Sequence, residues 1–334
     1  MFKGKKILIT GGTGSLGHAL SKRLLESEAD TIRIFSRNEN KQVMMESEFK
    51  DDRLRFFLGD VRDLPRLTRA FEDVDIVFHA AALKHVPIIE YNPFEAIKTN
   101  VIGSQNVVEA CLQQNVETAV AIGTDKAVAP LNTYGATKLL MEKLFVTAPN
   151  YLNKEKHKTK FIALRYGNVL GSSGSVVPKF ISQIKNNQKI TITDLNMTRF
   201  SITMDEALDF ILKSVSTAKG SEIFIPKLRK YSILDLKDAL QDLLGNTGLE
   251  KIPIREGEKI HEILISVDEM RNTWETDSRY VIINGSPTEE EIHSKYPNLK
   301  KVESSSPYSS DLAEKISKEE LKQIIIKSML IENN

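Results

Sequence analysis

The sequence of 334 residues has little cysteine, little net charge and no long apolar run. The single cysteine, Cys111, excludes a disulfide within one chain and is typical of a reducing compartment. Lysine and arginine number 46 against 45 acidic residues, and a formal net charge of +1 gives no bulk field that would attract nucleic acid or an anionic membrane. No apolar run approaches the ~20 residues of a membrane-spanning helix, and the start "MFKGKKILIT" lacks the apolar region of a signal peptide.

These absences predict a soluble cytoplasmic protein with no nucleic-acid partner and no membrane partner. The six histidines show no ligand spacing, so the sequence also predicts no metal site. Hydrophobic residues make up 41% of the chain, which is ordinary for a folded protein and argues against disorder. Any anionic ligand must therefore be bound by local groups.

The first half of the chain contains short apolar runs that alternate with helical patterns. Six runs have the length and boundaries of strands, namely "KKILIT", "TIRIFS", "LRFFLG", "VDIVFHAA", "ETAVAIGT" and "KFIALRYGNVLG". Helical periodicity lies between them, for example in "SLGHALSKRLLES" and "NTYGATKLLMEKLFVTA". This alternation predicts an α/β fold with a doubly wound parallel sheet of the Rossmann type.

The alternation breaks up after Gly167, where the remaining segments are shorter and less regular. We expect residues 1–166 to form a nucleotide-binding domain and residues 167–334 to form mainly a smaller substrate lobe. The helix near residues 203–217 is expected to return to the first domain.

A glycine-rich turn follows the first strand and opens the first helix. In "ILITGGTGSLGHAL", the glycines Gly11, Gly14 and Gly17 allow a tight turn and close approach of a pyrophosphate, and the helix N-terminus supplies oriented N–H groups. The residues predicted to contact a dinucleotide here are Gly11, Thr13, Gly14, Ser15, Leu16 and Gly17. The spacing G-x-x-G-x-x-G resembles that of the short-chain dehydrogenase/reductase superfamily.

The end of the second strand indicates which dinucleotide binds. An acidic residue there would accept from the ribose of NAD, but this strand ends in Ser36 and Arg37, with Lys41 one turn later. A hydroxyl and two cations suit a 2′-phosphate, so NADP is the predicted cofactor. Further predicted cofactor contacts come from the ends of the third and fourth strands and from the catalytic helix, namely Asp60 at the adenine, Val61, Ala80, Lys84, Tyr134 and Lys138.

A proton-handling stretch, "GTDKAVAPLNTYGATK", follows the fifth strand. Tyr134 and Lys138 are four residues apart and share a helix face. The superfamily resemblance implies that Tyr134 accepts a proton from a substrate hydroxyl as hydride leaves. It also implies that Lys138 holds the nicotinamide ribose and lowers the pKa of Tyr134. Thr124 would supply the Ser/Thr hydroxyl that completes the site with Tyr134 and Lys138.

The adjacent pair Asp125 and Lys126 exceeds what a simple oxidoreductase or 4-epimerase needs. Such a pair indicates an additional proton transfer, as in a sugar-nucleotide 4,6-dehydratase. We expect Lys126 to remove the C5 proton and Asp125 to protonate the leaving C6 hydroxyl. Burial and the charge of Lys138 are expected to lower the pKa of Lys126, with Asp125 opposing them as part of one coupled unit.

Eight segments in order make the chain similar to the inverting, 5-epimerising UDP-N-acetylglucosamine 4,6-dehydratases, extended members of the superfamily that open the pseudaminic-acid pathway. They span about residues 5–265: "TGGTGSLG", "RFFLGDVRDLPRL", "FHAAALKHVPIIEYNP", "IKTNVIGSQNV", "TDKAVAPLNTYGATK", "RYGNVLGSSGSVVP", "ITDLNMTRFSIT" and "IREGEKIHE". The long membrane-anchored retaining dehydratases share part of this set. A related soluble capsule enzyme has methionine where Tyr134 stands.

The resemblance implies an NADP-dependent lyase for pseudaminic acid or a related surface glycan. Its substrate would be UDP-N-acetylglucosamine and its product UDP-2-acetamido-2,6-dideoxy-beta-L-arabino-hex-4-ulose, a 4-keto-6-deoxy sugar inverted at C5. Expected substrate contacts include the phosphate-binding candidates Arg199 and Arg255. The full set is Lys84, Thr124, Tyr134, Asn168, Val177, Arg199, Arg255 and Glu258. A homo-oligomer is also expected, since helices after the fourth and fifth strands commonly pair in this superfamily.

Two alternatives stay open at this point. One is a UDP-sugar epimerase on the same scaffold, which would leave the mass of the substrate unchanged. The other is a catalytically silent NADP-binding protein, which would bind the cofactor without turnover.

Overall fold

The computed structural model describes residues 1–153, 155–172, 174–285, 287–328 and 330. The predicted α/β fold with a doubly wound, mostly parallel sheet is confirmed. Six parallel strands form its first part: β1 Lys6–Thr10, β2 Thr31–Ser36, β3 Leu54–Leu58, β4 Ile76–His79, β5 Thr118–Ile122 and β6 Lys160–Leu164. These strands match the six apolar runs in the sequence.

Helices connect these strands and cover both faces of the sheet. They are α1 Ser15–Glu26, α2 Glu39–Phe49, α3 Leu64–Phe71, α4 Val86–Tyr91, α5 Pro93–Ala96, α6 Gly103–Gln113 and α7 Thr133–Thr147. One turn of π-helix, Ile97–Ile102, joins α5 to α6, and a short 3₁₀ turn, Asp125–Ala127, follows β5. Because helices lie on both faces, the central strands are buried on both sides, and all five residues of β5 are buried.

The C-terminal half contributes the remaining elements. Its strands are β7 Asn168–Val169, β8 Ile190–Ile192, β9 Thr198–Ile202, β10 Glu222–Pro226, β11 Lys230–Ser232, β12 Leu249–Lys251, β13 Ile263–Ile265, β14 Thr273–Glu275, β15 Arg279–Ile283, β16 Lys300–Lys301 and β17 Tyr308–Ser309. Its helices are α8 Val176–Lys185, α9 Met204–Thr217, α10 Ile233–Leu244, α11 Val267–Met270, α12 Glu289–Lys295 and α13 Lys318–Lys327.

The chain returns to the main sheet after residue 220, which the sequence analysis did not anticipate. The sheet has ten strands in the order β16-β14-β15-β10-β6-β5-β4-β1-β2-β3. Strand β10 runs parallel to β6, whereas β15, β14 and β16 extend the sheet by antiparallel pairing. Helix α9 also returns, and its Asp205 and Asp209 form ion pairs with Arg23 of α1. The domain division at residue 166 stays an expectation.

The second lobe has a hydrophobic cluster of its own. Buried side chains of α8, β8, α10 and α13 pack together there, among them Phe180, Ile192, Leu236 and Leu321. Three small sheets lie in or beside this lobe, in the orders β11-β9-β7, β12-β8 and β13-β17. Strand β7 follows the carboxyl end of β6 and belongs to the first of these small sheets. The lobe therefore lies at the carboxyl edge of the main sheet, where ligands bind in such folds.

Candidate active site

Two cavities meet at the carboxyl edge of the main sheet. The first, of about 950 Å³, lies over the glycine-rich turn, and we call it the nucleotide cavity. The second, of about 960 Å³, lies against the second lobe, and we call it the lobe cavity. Residues that line both cavities mark the junction: Lys84, His85, Lys126, Asn168, Gly174 and Ser175.

Every residue predicted to contact the dinucleotide lines the nucleotide cavity. The walls include Gly11, Thr13, Gly14, Ser15, Leu16, Gly17, Ser36, Arg37, Lys41, Asp60, Val61, Ala80, Lys84, Tyr134 and Lys138. At Gly11, φ is +68°, and a Cβ atom would lie 2.8 Å from the backbone nitrogen of Ala81. Only glycine suits this position, and its lack of a side chain lets the turn pack directly against the backbone of Ala80 and Ala81.

The groups expected at the 2′-phosphate lie together at the end of β2. The Arg37 side chain is 53% exposed, and its Nη1 lies 3.6 Å from Oδ2 of Asp60. The hydroxyl of Ser36 is mostly buried and accepts from Nε2 of Gln42 at 3.0 Å. Burial raises the pKa of Asp60, but hydrogen bonds and the charge of Arg62 outweigh it, so the pKa is lowered and the carboxylate is ionised.

Buried hydrogen bonds through His79 join β1, β4 and α6 beneath the nucleotide cavity. His79 bonds through Nδ1 to the Thr10 hydroxyl at 2.8 Å and through Nε2 to the Ser104 hydroxyl at 2.9 Å. Burial and the charge of Lys138 lower the pKa of His79 to about 3, so its role is structural.

Asn100 is a positioning residue whose role was not predicted, although it lies in the segment "IKTNVIGSQNV". It lies in the π-helical turn, and its amide accepts from the N–H of Leu83 at 2.8 Å and donates to the carbonyl of the same residue at 3.0 Å. A third bond, at 3.0 Å, reaches the hydroxyl of Thr137 on α7. Asn100 thus fixes the loop that carries Lys84 against the catalytic helix.

The local sequence explains why Tyr134 and Lys138 face the nucleotide cavity. Asn132 caps α7 by accepting from the N–H of Gly135 at 2.8 Å. A Cβ atom at Gly135 would overlap the carbonyl oxygen of Lys126, so glycine lets α7 begin directly against the 3₁₀ turn. Tyr134 and Lys138 follow one helical turn apart on the face that lines the cavity.

The pKa of Tyr134 is raised rather than lowered, contrary to the effect expected of Lys138. Burial raises the pKa of Tyr134 to about 12, while the charge of Lys126 and a hydrogen bond with Thr124 oppose the rise. The amine of Lys138 instead donates to the carbonyl of Ile122 at 2.5 Å. Burial lowers the pKa of Lys138 to about 7, although the carboxylate of Glu142 opposes this.

The expectation for the pKa of Lys126 is also wrong. Burial lowers it, as expected, but the charges of Asp125 and Glu262 outweigh burial and raise the pKa above its ordinary value. Nζ of Lys126 lies 3.1 Å from Oδ1 of Asp125 and 3.5 Å from Oε1 of Glu262. Lys126 is therefore an ammonium held between two carboxylates in this structure.

Asp125 lies behind Lys126 rather than in a cavity wall. Its side chain is 1% exposed, and within the described part of the chain it lines neither cavity. Oδ1 accepts from the Thr124 hydroxyl at 2.8 Å, whereas Oδ2 has no hydrogen-bond partner among the described residues. In this position Asp125 would act on a sugar through Lys126, and its acid role at C6 stays a prediction.

Most residues predicted to bind substrate lie at the lobe cavity, but their surroundings differ. Lys84, Asn168, Arg199, Arg255 and Glu258 line it, and Thr124 and Tyr134 line the nucleotide cavity. Among the described residues, Val177 lines neither, because its side chain is buried in the lobe cluster. Only its backbone is left for the predicted contact.

The guanidinium of Arg199 is largely occupied by protein groups. It donates to the carbonyl oxygens of Thr198, Ile260 and Lys259 at 2.7–3.0 Å. Its Nε lies 3.7 Å from Oε1 of Glu262. Phosphate binding by Arg199 stays a prediction, and the more exposed Arg255 is the better candidate in this geometry.

Lys179, Lys259 and Glu262 are among the charged residues of the lobe cavity that were not predicted from the sequence. Burial and the charge of Arg255 lower the pKa of Lys179, with Glu258 opposing them. Lys259 donates to the carbonyl of Val128 at 2.5 Å. Lys259 and Glu262 both lie in the segment "IREGEKIHE", which was already matched to the family. The sequence does not indicate which of its charged residues face the cavity.

Within the described ranges, histidine, cysteine and acidic side chains form no cluster that would hold a metal ion. Nor does any helix in those ranges have the length and apolar character needed to span a membrane.

The family model described as "Polysaccharide biosynthesis protein" matches residues 7–284. The chain belongs to this family. An inverting UDP-N-acetylglucosamine 4,6-dehydratase from Campylobacter jejuni (strain 81-176) is 49% identical over 284 residues, 84% of each chain, which confirms the resemblance stated above.

Two further relatives of this polysaccharide biosynthesis protein match nearly its whole length. One is named UDP-glucose 4-epimerase, from Rickettsia felis, and is 39% identical over 98% of this chain and 96% of its own. The other is the X-ray structure of Pen from Bacillus thuringiensis, which has a TM-score of 0.91, 40% identity and 99% coverage of both chains.

Proposed function

We propose that the protein is an NADP-dependent UDP-N-acetylglucosamine 4,6-dehydratase that inverts C5 of the sugar. The observation that carries the proposal is Lys126, which lines both cavities beside Tyr134 and is half-buried between two carboxylates. The name of the Campylobacter jejuni relative supports the same reaction. A 4-epimerase needs no base at C5, so Lys126 favours the dehydratase over the epimerase named for the Rickettsia felis relative.

The residues of the nucleotide cavity fit a dinucleotide with a 2′-phosphate. The glycine-rich turn and the N-terminus of α1 line the cavity and suit a pyrophosphate, and Arg37 and Lys41 supply cations where NAD-specific sites place a carboxylate. When bound, NADP would store the hydride taken from C4 and return it at C6, so that no net redox change occurs. Lys138 would hold the nicotinamide ribose.

The protein groups then divide the proton transfers. Tyr134 in its deprotonated form accepts the proton of the C4 hydroxyl, with the Thr124 hydroxyl hydrogen-bonded to its oxygen. Oxidation at C4 makes the C5 proton acidic. Lys126 in its neutral form takes that proton and delivers it to the C6 oxygen, which leaves as water. Asp125 acts through Lys126, since it touches that amine rather than the cavity. Inversion follows when C5 receives its new proton on the opposite face of the ring.

Arg255, Lys179 and Glu258 surround the outer part of the lobe cavity and are proposed to hold the diphosphate and the ribose. We also propose a cytoplasmic location, because a single cysteine is typical of a reducing compartment. Incubation with UDP-N-acetylglucosamine and NADP, followed by mass spectrometry, tests the reaction. We expect a nucleotide sugar lighter by one water, whereas an unchanged mass with a changed sugar configuration would indicate an epimerase.

The cofactor preference gives a separate prediction at Arg37. Arg37→Ala is expected to weaken NADP binding by roughly 1–3 kcal/mol, the range of a charge-assisted contact, and to leave NAD binding nearly unchanged. Titration calorimetry with both dinucleotides measures the two affinities. The Arg37→Lys variant is the matched control and should recover part of the NADP preference. Equal losses for NADP and NAD would remove Arg37 from this role.

A homo-oligomer is also proposed, built on an exposed apolar surface of α4, α5 and the π-helical turn. Its most exposed members are Tyr91 at 88%, Phe94 at 76% and Ile88 at 63%, and Ile97 and Ile102 continue it. Apolar groups of this size that cluster on adjacent helices mark protein interfaces. We expect Phe94→Glu to lower the mass measured by sedimentation. Leu312→Glu, at an equally apolar exposed site elsewhere, should leave it unchanged. The same mass for wild type and Phe94→Glu would contradict this interface.

A further inference from the structure

Glu262 is a buried carboxylate in the wall of the lobe cavity. The residue is 3% exposed, and its backbone N–H donates to the hydroxyl of the buried Ser310 at 2.9 Å. Oε1 faces Lys126, whereas Oε2 has no hydrogen-bond partner among the described residues. A buried carboxylate is costly unless a charge compensates it, so its position beside Lys126 requires an explanation.

Three oxygens surround the amine of Lys126. They are Oδ1 of Asp125 at 3.1 Å, Oδ1 of Asn168 at 3.2 Å and Oε1 of Glu262 at 3.5 Å. An ammonium group has three N–H donors and no acceptor, so it suits this set of three acceptors. Asp125 and Glu262 supply the negative charge, and Asn168 supplies only a dipole.

Arg199 fixes Glu262 from the other side. Its guanidinium is held by three backbone carbonyls, which leaves Nε directed at Oε1 of Glu262 at 3.7 Å. A second buried arginine, Arg165, bonds Glu142 of α7 at 3.1 Å and Glu269 of α11 at 2.9 Å. The segment that carries Glu262 is therefore held on both sides of β13, and Glu262 has little freedom to leave Lys126.

We infer that Glu262 is a positioning residue that holds Lys126 as an ammonium between two carboxylates and thereby sets when the amine can act as a base. The catalytic meaning of this inference rests on the proposed function, but the clamp itself does not. Lys126 becomes a base only after one of its protons leaves, and the charge of Glu262 opposes that loss. Glu262 would thus delay formation of the base until a bound sugar changes the surroundings of the amine.

Other groups that act on Lys126 do not duplicate this effect. The neighbouring cations Arg199, Lys84 and Lys259 oppose the ammonium, and the phenols of Tyr134 and Tyr231 are neutral at ordinary pH because burial raises their pKa values to about 12. Among the described residues, Asp125 and Glu262 are the carboxylates whose negative charge favours the ammonium. Without Glu262, a single carboxylate would face three cations.

Competitive labelling of the ligand-free protein tests the clamp directly. Acetic anhydride reacts only with the neutral amine, and mass spectrometry of the peptide that contains Lys126 gives its rate relative to an exposed lysine. In Glu262→Gln the amide keeps the shape but removes the charge, so we expect labelling at pH 9 to rise about tenfold, equivalent to a decrease of one pKa unit. Glu262→Asp keeps the charge and should stay within about twofold of wild type.

Glu256→Gln, an exposed carboxylate on the same segment, is the matched control and should not change the rate. Equal labelling of wild type and Glu262→Gln would overturn the inference. So would an equal rise in Glu262→Gln and Glu262→Asp, because a loosened site rather than a lost charge would explain it.

A second measurement uses the reaction itself. In Glu262→Gln we expect the rate of C5 proton exchange in bound UDP-N-acetylglucosamine to begin rising at a pH about one unit lower than in wild type. If C5 exchange in Glu262→Gln begins to rise at the same pH as in wild type, the inference is contradicted. If wild type itself exchanges no C5 proton, the proposed reaction fails, while the labelling result still decides whether the clamp exists.

Discussion

Lys126→Ala is expected to reduce bound NADP when UDP-N-acetylglucosamine is added, yet to release no water. The first event needs only Tyr134 and Lys138, which line the nucleotide cavity independently of the Lys126 side chain. Water loss needs a base at C5, and Lys126 is the amine that lines both cavities and is held between Asp125 and Glu262. Absorbance of reduced nicotinamide reports the first event, and mass spectrometry reports the second.

The same variant should exchange no C5 proton with solvent deuterium. A matched variant, Lys126→Met, keeps part of the aliphatic chain and should behave in the same way if the amine is what matters. Thermal unfolding and NADP binding serve as controls for folding, because either variant leaves Asp125 and Glu262 buried without their cation. Normal C5 exchange in both variants would exclude Lys126 as the base and move that role to Lys84, which also lines both cavities.

Tyr134→Phe is expected to abolish turnover at the first step. The substitution removes one hydroxyl from a side chain that is otherwise well packed, so the fold and NADP binding should be nearly unchanged. Without the phenol, no group is placed to accept the C4 proton as hydride leaves. Stopped-flow absorbance should therefore show no reduction of bound NADP, in contrast to Lys126→Ala.

Retention of more than about a tenth of the wild-type rate in Tyr134→Phe would contradict this assignment and would indicate that another group, such as Lys126, begins the oxidation. Thr124→Val is a useful companion variant, since it removes the hydrogen bond to the phenol together with the one that the same hydroxyl donates to Asp125. A smaller loss of rate is expected there, because the phenol itself remains.

The fold of the first half could be predicted because its signals are local. Apolar runs of strand length, helical periodicity and the glycine-rich turn each depend on residues that are close in the chain. The predicted cofactor residues line one cavity for the same reason, since parallel strands bring their carboxyl ends to one edge of the sheet.

The charge state of Lys126 could not be predicted because it depends on a residue far along the chain. Asp125 was evident as a neighbour, but Glu262 reaches Lys126 only through the packing of the second lobe. The same packing turns Arg199 toward backbone carbonyls and buries Val177, although both were expected to face a ligand. Strand β10 was missed because its pairing with β6 joins segments separated by several elements of the lobe.

The most direct test of the proposed reaction is proton NMR of the product formed from UDP-N-acetylglucosamine in deuterated water, with mass spectrometry of the same sample. We expect a 4-keto-6-deoxy sugar that has lost water, carries solvent deuterium at C5 and has the inverted configuration at that carbon. A product that retains the original C5 proton, the original C5 configuration or the full mass of the substrate would contradict it.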